Sequence, residues 1–97
     1  MRYEGINGKK NIHRIKMEEE QILSELNKLF SLVFKNSNIT LSYNTTAADV
    51  HGWDSLTHMI LIDRIEKHFA IKFKLMEVVK FNNIGDIVSC IKKKLSN

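Results

Sequence analysis

The chain is predicted to be all-α: a small four-helix bundle with a long loop between helices one and two and a short third helix. Three observations carry this. Apolar residues recur at three- and four-residue steps in separate stretches of the sequence. No proline interrupts those stretches. A length of 97 residues allows one domain with a modest core and no second domain for a separate activity.

The first helix is expected over residues 18–34, with Ile22, Leu23, Leu26, Leu29, Phe30 and Val33 on one face. Glu18, Glu19 and Glu20 sit in its first turn, where negative charge complements the helix dipole, so their role is read as structural. The following stretch, residues 35–53, is rich in Asn, Ser and Thr and is too long for an ordinary connection. It is expected to pack on the bundle through Ile39, Leu41, Val50 and Trp53.

The second helix is expected to begin at Ser55, because Asp54 can cap it by accepting from the amides of Leu56 or Thr57. Met59, Ile62, Ile65 and Phe69 trace an inward stripe with Leu61 beside it, while Leu56 and Ile60 fall toward the exposed side. That apolar wall is read mainly as core, although it could shelter a chain if the bundle parted. After Phe69 the chain should leave the helix and enter a short third helix around residues 74–79. Asn83 and Asp86 then form a capping pair for a last helix with Ile84, Ile87, Val88, Ile91 and Leu95 inward. Lys92, Lys93 and Lys94 suit its negative end.

The formal net charge of +4 would ordinarily raise nucleic acid or an anionic membrane as a partner. The excess is confined to residues 1–16, where Arg2, Lys9, Lys10, Arg14 and Lys16 stand against Glu4. Residues 17–97 hold ten basic and ten acidic side chains, so the folded part is formally neutral and neither nucleic-acid binding nor membrane insertion is expected. The first 16 residues are read as a disordered basic tail or as a leader added upstream of Met17, which mass analysis of the native protein would settle. No apolar stretch of signal-peptide or membrane-spanning kind is present, and the single Cys90 cannot form an internal disulfide. Both points fit a cytoplasmic monomer.

Gly52-Trp53-Asp54-Ser55-Leu56 carries the chemistry. Capping by Asp54 leaves the Ser55 hydroxyl in the first turn, pointing outward. A phosphate ester formed there would be favoured by the free amides and the helix dipole, by about 0.3–1 kcal/mol when exposed. Catalysis by Ser55 with His51 or His58 is not expected, because no Gly-x-Ser-x-Gly elbow is present and so small a bundle offers little room for an oxyanion hole. His51, His58 and His68 lack metal-ligand spacing, and Cys90 is read as a packing residue.

Asp54-Ser55-Leu56 followed by an apolar helix resembles the acyl carrier protein family, whose serine receives the phosphopantetheine arm of coenzyme A. The resemblance covers residues 18–95, through the loop ending in Asp49-Val50-His51-Gly52-Trp53, the serine helix to Glu66 and Phe69, and Ile84-Gly85-Asp86-Ile87. It implies an acyl-carrier-like domain over residues 17–97 and a covalent 4'-phosphopantetheine on Ser55. Asp54 would orient the turn and Leu56 would help dock partners. Those partners are a phosphopantetheinyl transferase together with acyl-loading and acyl-transfer or synthase enzymes, of the kind used in fatty acid or polyketide biosynthesis. The chain itself would have no catalytic residues.

The sequence also departs from the best-known members. Their serine helix is strongly acidic, whereas here Asp63 and Glu66 are offset by Arg64 and Lys67, and Thr57 and Ile60 occupy positions often acidic. Weaker electrostatic steering and a recognition strip of Leu56, Met59, Ile60 and Asp63 are expected, which points to a specialised pathway. Ala70 stands where related carriers often have glycine; a positive φ there would add roughly 1 kcal/mol of strain. Two further readings stay open: an aminoacyl or peptidyl carrier using the same arm, and an unmodified helical protein-interaction module.

Overall fold

A computed structural model describes residues 17–96; the reading of residues 1–16 as a tail or leader lies outside the described residues. Four helices follow in order: α1 (Glu19–Phe34), α2 (Ser55–Phe69), α3 (Leu75–Val79) and α4 (Ile84–Ser96). A single 3-10 turn, Ala47–Asp49, interrupts the long loop. The described residues contain no strand.

The core forms where α1 packs on α2 and α4. Ile22, Leu26 and Phe30 of α1 meet Leu61 and Ile65 of α2 and Ile84, Ile87 and Ile91 of α4, all without exposed surface. Each such side chain contributes about 1.5–3 kcal/mol by leaving water. Leu23, Val33 and Leu95 are half-buried at the margin of this cluster, as their places on the helical stripes require. Leu61 proves central to α2, where the periodicity places it beside the stripe.

The long loop is packed down by two devices. Leu41 and Val50 are buried, and Ile39 and Trp53 pack against the core. From α1, the Asn27 side chain clamps the loop with both ends of its amide: Nδ2 donates to the Ile39 carbonyl at 2.9 Å, and Oδ1 accepts from the Leu41 N–H at 2.7 Å. At its far side the loop satisfies the start of α4. The N–H groups of Ile84 and Gly85 donate to the carbonyls of Thr45 and Tyr43 at 2.9 and 2.8 Å. A Cβ at Gly85 would lie 3.0 Å from the Tyr43 oxygen, so a side chain there would make the loop give by a few tenths of an ångström.

Asn83 caps α4 as predicted, its Oδ1 accepting from the Asp86 N–H at 2.9 Å. The reciprocal half is displaced by one residue, for the Asp86 carboxylate accepts from Asn82, not from Asn83. Ala70 does adopt the left-handed conformation, with φ 56° and ψ 48°, and ends α2 there. The turn is thus kept in spite of the missing glycine, at a cost of about 1 kcal/mol. The Glu66 carboxylate accepts from the Phe73 N–H at 2.8 Å and leads the chain toward α3.

Helix α3 buries only Val78. Phe73 and Phe81 bracket it with an edge-to-face contact at 5.4 Å. The Glu77 carboxylate does two jobs, accepting from the Lys74 N–H at 2.7 Å to cap α3 and pairing with Lys94 of α4 at 2.9 Å. These partners, the Lys74 amide foremost, hold the Glu77 carboxyl below its usual range.

Candidate functional site

The site begins with a glycine. Gly52 has φ 90°, a conformation that side chains resist, and it lets the loop turn sharply into the start of α2. Asp54 then takes the cap position with extended backbone. Its Oδ1 accepts from the N–H groups of both Leu56 and Thr57 at 3.0 Å. Thr57 closes the box from the other side: its Oγ1 accepts from the Asp54 N–H at 2.8 Å and donates to the Gly52 carbonyl at 2.7 Å. Bonding to the Thr57 amide and hydroxyl, then to Leu56, lowers the Asp54 pKa.

Ser55 is exposed in the first position of α2, as its place after the cap requires. The Asp54 cap forms as expected and takes the amides of both Leu56 and Thr57, so neither of these is open to an anion. Of the four N–H groups at this helix start, the Asp54 N–H is taken by Thr57, leaving the Ser55 N–H without a partner among the described residues. The open donor therefore belongs to the residue that carries the hydroxyl.

Trp53 anchors the turn to α1. Its ring meets Phe30 edge-on at 5.1 Å and Phe34 at 6.5 Å, and its Nε1–H donates to His58 Nδ1 at 3.0 Å. No periodicity foretells this last bond, which joins a loop residue to one five positions later inside a helix.

Beside Ser55 lies a cleft of about 560 Å³ between α2 and α3. Trp53, His58, Met59, Leu75, Val78 and Phe81 form most of its wall, with Ser55 and Asp54 at one side. Met59 corrects the stripe read from sequence: it is 51% exposed and borders this cleft, not the core. Helical geometry explains why: at 3.6 residues per turn Met59 lies roughly 160° from Leu61 and roughly 120° from Ile65, so it turns toward α3 and the cleft while those two face the core.

Leu56 and Ile60 are exposed as expected, at 70% and 42%. Leu75, Met76 and Val79 of α3, which the sequence reading did not single out, are also exposed large apolar residues. Asp63 is exposed but pairs with Lys67 at 3.1 Å, so its charge is partly neutralised in place. The histidines are separately engaged or solvated. His68 Nε2 meets Glu25 Oε1 at 2.8 Å across α1 and α2, and His51 is exposed. Glu25 is held below the usual carboxylate range chiefly by that bond. Among the described residues, no three His, Cys, Asp or Glu side chains gather in a way that could hold a metal ion. Cys90 is half-buried, and burial pushes its thiol pKa up. No helix among them is long and apolar enough to cross a membrane.

Comparison with known families matches residues 24–91 to the phosphopantetheine attachment site model. Among solved structures, the chain is similar to the holo acyl carrier protein from Geobacter metallireducens, determined by solution NMR. The two share 43% sequence identity over 76% of this chain and 85% of that one, with a TM-score of 0.73. Curated protein sequences yield no significant match.

Proposed function

Because the chain belongs to the family of phosphopantetheine-attachment domains and is an acyl carrier protein, we propose that Ser55 is the residue that carries its covalent 4'-phosphopantetheine. The observation that supports this assignment is the capped turn itself. Asp54 and Thr57 lock each other, so that Ser55 presents an exposed hydroxyl together with a backbone N–H that has no partner among the described residues. A phosphodiester on that oxygen meets the positive end of α2. The cleft at its side gives the arm an apolar wall to lie against. When bound, the group supplies a terminal thiol that holds acyl intermediates as thioesters.

Tethering raises the effective concentration of the cargo at successive enzymes. In this reading the chain is a non-catalytic, monomeric, cytoplasmic substrate of its partner enzymes: a transferase that loads the arm, then acyl-loading and acyl-transfer or synthase enzymes. The exposed strip of Leu56, Met59, Ile60 and Asp63 is their recognition surface, extended by Leu75 and Met76 across the cleft. Large apolar side chains with balanced charge around them favour contact by burial over steering by field, which suits a specialised partner set.

The test is direct. Apo protein and Ser55→Ala are incubated with coenzyme A, magnesium and a broad-specificity phosphopantetheinyl transferase, and intact masses are recorded. The wild-type chain is expected to gain one arm while Ser55→Ala gains none and keeps its helical circular dichroism. Equal gain by both chains would move the attachment site elsewhere.

A further inference from the structure

The unexplained feature of the cleft is the bond between Trp53 and His58. An indole N–H can only donate. Since Trp53 Nε1–H points at His58 Nδ1 at 3.0 Å, that nitrogen offers its lone pair, and the neutral imidazole carries its proton on Nε2. The ring is also oriented: the two ring planes lie within 21° of each other, and Trp53 is held in turn by Phe30 and Phe34. Both the tautomer and the direction of His58 are thus set from α1. Its Nε2–H, at the ring edge remote from Trp53, has no hydrogen-bond partner among the described residues.

His58 lies three residues after Ser55, one turn further along the same helical face, and both side chains border the cleft. A half-buried donor held in one orientation beside an attachment point needs an acceptor. The acceptors nearest the root of an arm on Ser55 are the non-bridging oxygens of its phosphodiester. We infer that His58 is a positioning residue for the arm, its Nε2–H donating to a phosphodiester oxygen on Ser55 and holding the root of the arm at the cleft, with Trp53 setting the tautomer. This rests on Ser55 carrying the arm. Its consequence is directional, because an arm held at its phosphate leaves Ser55 along the cleft wall formed by Met59 and Val78.

The experiment uses holo protein whose intact mass, with Ser55→Ala as control, first establishes where the arm sits. Lack of an arm on Ser55 overturns both readings, and the mass alone identifies that case. Nitrogen NMR of histidine-labelled apo and holo protein at one pH is expected to show His58 as the Nε2–H tautomer in both. Exchange of that proton with water should be about tenfold slower in the holo form, since a bond to an anionic oxygen is charge-assisted. Phosphorus NMR of the arm should shift in His58→Phe, which keeps an aromatic ring beside Trp53. The resonance should move back toward wild type in His58→Gln, whose amide restores a donor. Equal exchange in apo and holo wild type, or a phosphorus resonance unmoved by His58→Phe in folded holo protein, overturns the proposal.

Discussion

Helix α1 buries Ile22, Leu26, Leu29 and Phe30 along its 16 residues, whereas α3 buries Val78 alone in five and leaves Leu75, Met76 and Val79 exposed. Both are rich in large apolar residues, but only α1 has partners on its whole inner face. A five-residue helix cannot persist in water by itself, so α3 depends on Val78, on the Phe73 and Phe81 bracket and on the shared Glu77 carboxylate. The difference assigns the two helices to different parts of the work. α1 is the platform on which Trp53 and the Ser55 turn are set, and α3 is the less deeply buried wall of the cleft.

The largest effect expected is on the platform. Phe30→Ala removes a fully buried ring that touches Phe34 and Trp53, and should cost about 3–5 kcal/mol in denaturant unfolding. It should also change the fluorescence of Trp53, the single tryptophan. A loss no larger than that of an exposed site would break the contrast between the helices.

Asp54→Ala comes next, because it frees two amides at the junction of platform and cleft. Its thermal midpoint should fall at neutral pH by less than that of Phe30→Ala. The Asp54 pKa is depressed in the folded state, so the stabilisation is present above the ordinary carboxylate range and lost as pH falls through the depressed value. The gap between wild type and Asp54→Ala should therefore close on acidification, and a gap independent of pH would show that the cap does not act through its charge.

Ala70→Gly should stabilise the chain by up to about 1 kcal/mol, since glycine takes the left-handed conformation at φ 56° without the Cβ penalty. A loss of stability would mean that unfolded-state entropy outweighs the strain there. The smallest effect belongs to the cleft wall. Leu75→Ala should change stability by less than about 0.5 kcal/mol, because Leu75 is 71% exposed. Amide exchange should nonetheless be faster in α3 than in α1, and equal protection of the two helices would remove the distinction between platform and wall.

Much of this was legible in the residues. The stripes of α1 and α4, the Asp54 cap, exposure of Ser55, Leu56 and Ile60, and the burial of Leu41 and Val50 all follow from local rules of period, capping and loop length. The 3-10 turn held by Thr46 and Asp49 was not foreseen, because its bonds form within a loop whose path the pattern leaves open. Nor was the clamp by Asn27, a polar residue on α1 whose partners lie 12 and 14 positions away.

Met59 marks the boundary most clearly. Read by three- and four-residue steps it joins the inward stripe of α2, yet it lies roughly 60–120° around the helix from Ile62, Phe69 and Ile65, at the edge of that stripe, and period does not say how far burial reaches there. The sequence by itself determined four helices, the Asp54 and Asn83 caps and a serine at the exposed start of α2, because helical period and capping act over a few residues. Only the tertiary structure decided that Met59 faces a cleft and that Trp53, held by Phe30 and Phe34, turns His58 toward one tautomer. Those outcomes depend on distances between elements, which the packing of α1, α2 and α3 alone sets.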